Sequence, residues 1–349
     1  FEALKTEDAN GFNTAVGYRA LKALDGGQDT FNTAFGANAG LSISTGAYNA
    51  IFGGNAGDAL TVGSSNVAVG VAALATDTKG SKSIAIGNGA LNLQNFTTAT
   101  NTYNVAVGDQ TGAAITTAIR NTLIGGLVGD ALTEGARNTA VGYAVLSGDT
   151  LGSRNVGIGY EVLGSQNFTT ATDSYNTAVG YAAGNAVTTG VQNTIIGALA
   201  GDALTDSGPV VAVGYEALST EDRDGGGTTA IGYQALKTQN AGATAYNTAV
   251  GWNAGLSVTT GIQNTLFGAL AGDALTDADH NVAIGMEALT TDTLGSRSTA
   301  IGYNALAAQN FTTATNADNV AVGYLAGYAV TTGIRNTLIG TNAGDALTV

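Results

Sequence analysis

A short strand-like phrase ending in glycine recurs nineteen times along the 349 residues, at Gly17, Gly36, Gly53, Gly70 and onward to Gly323 and Gly340. Most intervals are 17 residues, and the exceptions are 18, 19 or 21. A unit this short cannot enclose a core of its own, so neighbouring units must stack and share one. The spacing therefore predicts an all-β parallel β-solenoid of about 19 short coils, treated as one repetitive segment over 1–349. At about 4.8 Å per coil such a stack would rise roughly 90 Å. Glycine reaches 52 residues with a single proline, Pro209, and no three-residue period, which excludes collagen. The apolar fraction of 44% is enough for a core and argues against disorder.

Positions are counted from the repeat glycine. Position −1 is apolar throughout (Val16, Phe35, Phe52, Val69), and −3 is Thr in 11 coils and Val in six. Position −2 is mostly Ala, with Ile51, Leu123, Ile195, Leu266 and Leu338 among the larger exceptions. Alternation places −3 and −1 on one face and −2 on the other. Neither face carries charge. The expectation is that the −3/−1 face fills the coil, leaving the Ala-rich face as a stripe for packing against other copies. Asn occupies −4 in 15 coils, and its tolerance of left-handed backbone and capacity for side-chain ladders make a structural role the preferred reading. Ala at +3, found in 15 coils, is expected to begin a second short strand.

A slower period is superposed. Position +4 reads Leu, Gly, Gly, Leu without exception, so four coils form a super-repeat of 70 to 73 residues. Its first coil is the long one. In three cases the extra length carries Asn-Phe-Thr-Thr-Ala-Thr, at 95–100, 167–172 and 310–315. These insertions are candidate contact surfaces, because the core does not require them. The third coil always carries Gly-Asp-Ala-Leu-Thr, around Asp58, Asp130, Asp202, Asp273 and Asp345. The chain starts and stops in mid-pattern without a capping sequence or an initiator Met, which reads as a window of a longer fibre.

The phrase Asn-Thr-Ala-Val-Gly-Tyr-x-Ala, complete at 176–183 and nearly so at 138–145, resembles the head repeats of trimeric autotransporter adhesins and the shaft repeats of some bacteriophage tail fibres. The resemblance covers essentially the whole chain. It implies a left-handed parallel β-roll with three chains side by side, and an extracellular place on a cell surface or virion. The 17-residue coil is longer than the adhesin repeat, and the four-coil period is a further departure.

Little in the sequence suggests chemistry. The formal charge of −14 opposes nucleic acid and anionic membrane surfaces. No apolar run is long enough to span a bilayer as a helix, and no cysteine is present for disulfide or thiolate chemistry. His280, the only histidine, lies between Asp279 and Asn281 and reads as a solvated turn residue. No catalytic residue, cofactor site or metal site is expected. The Gly-Asp phrases recur only every fourth coil, and the acidic run Glu221, Asp222, Arg223, Asp224 reads as a polar turn. Tyr follows the repeat glycine in eight coils, with Trp252 and Met286 at equivalent places. A packing ladder is favoured there over an aromatic track for glycans. The expectation is a non-enzymatic shaft of an extracellular or virion fibre, self-associated as a parallel homotrimer and supporting adhesion or receptor binding. The alternative is a protein that binds a ligand, a glycan before ice, on a lateral face; Val at six −3 positions interrupts the Thr array that ice would need.

Overall fold

Three-residue strands set the architecture. In a computed structural model, which describes residues 1–6, 11–222 and 226–349, the chain is an all-β parallel solenoid of about 19 turns. No helix occurs among the described residues. The chain divides into two units, Phe1–Tyr175 and Asn176–Val349. The first carries nine of the ladder strands, from Thr14–Val16 to Val156–Tyr160, and the second carries ten, from Thr177–Tyr181 to Thr337–Ile339. Within each unit, successive ladder strands pair in parallel and in register: Thr14 lies opposite Thr33, and Val320 opposite Thr337.

Most ladder strands end at the glycine; Thr139–Tyr143, Val156–Tyr160 and Thr177–Tyr181 run one residue past it. Gly53 has φ +141°, a conformation that L side chains rarely adopt, and a Cβ there would run into the carbonyl of Gly70 in the next turn. Left-handed residues also recur at +2 (Arg19, Asn38, Asn55), at +4 (Leu21, Gly40, Leu74) and at −5 (Tyr48, Arg120, Gln192). They close the coil between successive strands. The left-handed role expected of the −4 asparagines thus falls on the residue before them, and the asparagine side chain points inward instead.

Two further expectations are corrected. The segment after +3 is a run of turns, not a second strand, although its amides still bond to the next coil, as from Leu21 to Ala39 at 3.0 Å. The other strands are two-residue pairs at the long coils: Gly80–Ser81 with Thr100–Asn101, Gly152–Ser153 with Thr172–Asp173, and Gly295–Ser296 with Thr315–Asn316. The faces are also inverted. Position −2 is the buried one (Ala68, Leu123 and Ile195 are all at 0% exposure), whereas −3 and −1 turn outward. Position −2 shares the coil interior with Leu or Gly at +4 and with a side chain at +7 such as Leu24, Ile43 or Leu60. The +4 alternation fits this space. A Cβ on Gly40 would meet Leu21 at 2.9 Å and Ile43 at 3.0 Å, so a glycine makes room for the leucine of the preceding coil.

The −4 asparagines form buried ladders, as expected. Asn49 N–H donates to Asn32 Oδ1 at 2.9 Å, Asn66 N–H to Asn49 Oδ1 at 3.0 Å, and Asn49 Nδ2 to the Gly63 carbonyl at 2.9 Å. The second unit repeats the pattern, for example Asn193 N–H to Asn176 Oδ1 at 2.9 Å and Asn281 N–H to Asn264 Oδ1 at 2.9 Å. Backbone amides at the strand entrance thereby find acceptors inside the coil, where water cannot supply them.

Candidate functional site

The outward sheet face runs through every ladder strand of each unit. Its −1 row runs Val16, Phe35, Phe52, Val69, Ile86, Val107, Ile124, Val141 and Ile158 in the first unit, and Val179 to Ile339 in the second. Phe35 is 56% exposed and Phe267 55%. Thr or Val at −3 runs beside it. Parallel register places like residues one above another along each row, so the apolar atoms are contiguous and not scattered.

Beside this face stands the +1 aromatic row. Tyr143 stacks on Tyr160 with centroids 5.5 Å apart, Tyr215 on Tyr233 at 5.4 Å, Tyr233 on Trp252 at 6.4 Å, and Tyr303 on Tyr324 at 5.4 Å. Each ring is near-parallel to its neighbour and about half exposed. The faces cover one another and the edges meet solvent, which is a packing ladder with little flat ring surface left for a sugar.

The opposite border is the −5 row, and it concentrates the chain's cations. Lys82, Arg120, Arg137, Arg154, Arg297 and Arg335 occupy it, six of the 12 Lys and Arg, against one acid, Asp318, among 26 Asp and Glu. All six are left-handed and keep the same place in successive turns through amide bonds to the coil before, such as Arg137 N–H to Ile119 O at 3.1 Å. His280 lies in this row too, exposed as expected.

The long-coil loops are anchored by residues that sequence reasoning missed. Asp77, Asp149 and Asp292 at +7 are fully buried. Asp77 Oδ1 accepts the Gly80 and Phe96 amides at 3.0 and 3.1 Å, and Asp77 Oδ2 accepts Gln94 Nε2 at 2.5 Å. The set recurs at Asp292 with Gly295, Phe311 and Gln309. At Asp149 it recurs with Gly152 and Gln166. Burial pushes the Asp149 carboxyl above the usual range, while the Gln166 amide and the backbone donors oppose the shift. The carboxylate thus pins the first turn of each insertion and buries its Phe, leaving Thr97, Thr98 and Ala99 exposed. The available signal was an acid at +7 in the fourth coil with Gln at +7 in the next. Glu221 belongs to this class and corrects the polar-turn reading: it is buried and accepts Gln239 Nε2 at 3.0 Å. Arg223 and Asp224 lie outside the described residues.

Four of the Gly-Asp carboxylates are half-buried, and the fifth, Asp345, is exposed. Desolvation raises Asp58, Asp130, Asp202 and Asp273, and Asp273 also accepts Thr290 Oγ1 at 2.6 Å. Among the described residues no three His, Asp or Glu side chains converge as metal ligands would. No family model, curated protein or solved structure matches the chain.

Proposed function

We propose that this chain is a non-enzymatic shaft of an extracellular fibre, on a cell surface or a virion, in which three copies pack in parallel through the outward −3/−1 face. The finer fold in this reading is a left-handed β-roll with a four-coil super-repeat. Its main support is the apolar −1 row within each unit, with Phe35 in the first and Phe267 in the second more than half exposed. Soluble monomers rarely expose contiguous apolar patches beyond a few hundred Å². The stacked backbone ladders and buried asparagines suit a load-bearing part, since continuous pairing resists local opening and proteolysis. Sedimentation equilibrium tests the reading: a mass three times 34.4 kDa supports it, and a stable monomer removes it. A second reading, direct lateral binding of a glycan or, less favoured, of ice, draws on the same outward Thr and apolar rows. It takes precedence if the chain is monomeric.

A further inference from the structure

In a chain of net charge −14, three consecutive turns present arginine at one surface register: Arg120, Arg137 and Arg154. The flanking members of the same row are Lys82 and Tyr103 before them and Tyr175 after. The outer cations are already engaged. The Lys82 ammonium lies 5.1 Å from the Tyr103 ring centroid, and the Arg154 guanidinium lies 5.4 Å from that of Tyr175 and pairs with Asp173 at 2.8 Å. The inner two are free: among the described residues neither Arg120 nor Arg137 has an ion pair or an aromatic partner, and both are exposed. Glu134, the acid nearest to Arg137 in sequence, pairs with neither.

Two like charges fixed about one strand spacing apart repel each other unless an anion lies between them. Guanidinium suits carboxylate and sulfate, whose oxygens it takes two at a time. The rise per turn, about 4.8 Å, is close to the length of one pyranose unit in an extended chain. The geometry points to an anionic polysaccharide, carrying carboxylate or sulfate along its length, bound lengthwise along this row at Arg120 and Arg137. Charge decides the class of ligand here, since the stacked +1 aromatics offer little ring face to a neutral sugar. The inference does not depend on the fibre reading.

The row itself supplies a variant that should fold. Gln192 and Gln263 occupy the same register with φ +61° and +59°, so Arg120→Gln with Arg137→Gln removes two charges at positions that tolerate glutamine. Binding of the whole chain to polygalacturonate, heparin, dextran and duplex DNA would be measured at low and raised salt, alongside thermal melting and sedimentation. The expected result is salt-sensitive binding to polygalacturonate, heparin or both, roughly tenfold weaker in the double variant and unchanged in Arg297→Gln. The stronger of the two arms identifies carboxylate or sulfate as the group read. Equal binding by the double variant, binding to dextran, tighter binding to DNA, or no binding to either polyanion would overturn the proposal. So would a change of oligomeric mass in the double variant, which would assign the arginines to contacts between copies.

Discussion

Asn121 satisfies two backbone groups at once: its Oδ1 accepts the Asn138 amide at 2.9 Å and its Nδ2 donates to the Gly135 carbonyl at 2.9 Å. Asn121→Ala would leave both buried without partners, at a cost of about 2–5 kcal/mol in chemical denaturation. A loss below about 1 kcal/mol would mean that water reaches these groups. Asp149 makes a second test, because its pKa is raised in the fold. Between the ordinary value of 3.8 and the raised one, the folded chain keeps a proton that the unfolded chain releases. Its contribution is therefore full at low pH and is lost as pH rises through the raised value. The stability of Asp149→Asn relative to wild type should improve from acid toward neutral pH in paired urea titrations. A difference that falls with rising pH would show the carboxylate to be favoured by its amide donors.

At the scale of one coil, adjacent glycines make opposite demands. Gly53 faces the Gly70 carbonyl at φ +141°, whereas a Cβ on Gly54 would meet nothing within 4 Å. Gly53→Ala should cost roughly 2–4 kcal/mol and Gly54→Ala less than about 0.5, read as a shift in denaturation midpoint. The repeat glycine was legible in the sequence because only glycine serves there. The left-handed −5 position was not, since Tyr48, Ser65, Lys82, Arg120 and Gln192 all fill it and none of these residue types marks left-handed backbone. The buried face was misread for a related reason: with both faces uncharged, a period of two separates them without saying which lies inside. Size then misled, because −2 is buried whether it is Ala68 or Leu123, while the larger Val67 and Val69 turn outward. The buried acids were overlooked because carboxylates in a core are rare unless fully bonded, as Asp77 is. Asp77→Ala should release the 95–100 loop, seen as faster hydrogen exchange at the Phe96 amide with the ladder amides unchanged. Unchanged exchange at Phe96 would remove the anchoring role.

For the whole molecule, the outward apolar rows decide between an associating chain and a solitary one. If copies pack through them, Phe35→Asp with Phe267→Asp should shift the sedimenting species toward 34.4 kDa while costing each coil little, since both side chains are more than half exposed. A parent chain that already sediments as a monomer would instead leave the rows free for another ligand. The interlock at +4 has an evolutionary corollary. Gly40 yields space to Leu21, and Gly112 to Leu91, so a coil fits only beside the neighbour for which it was shaped. Unequal recombination that added or removed a single coil would break the Leu-Gly-Gly-Leu order, leaving a leucine without its facing glycine or setting three like residues in a row. A crossover spanning whole blocks of 70 to 73 residues restores every match. Lineages carrying this gene should therefore differ in length by steps of four coils.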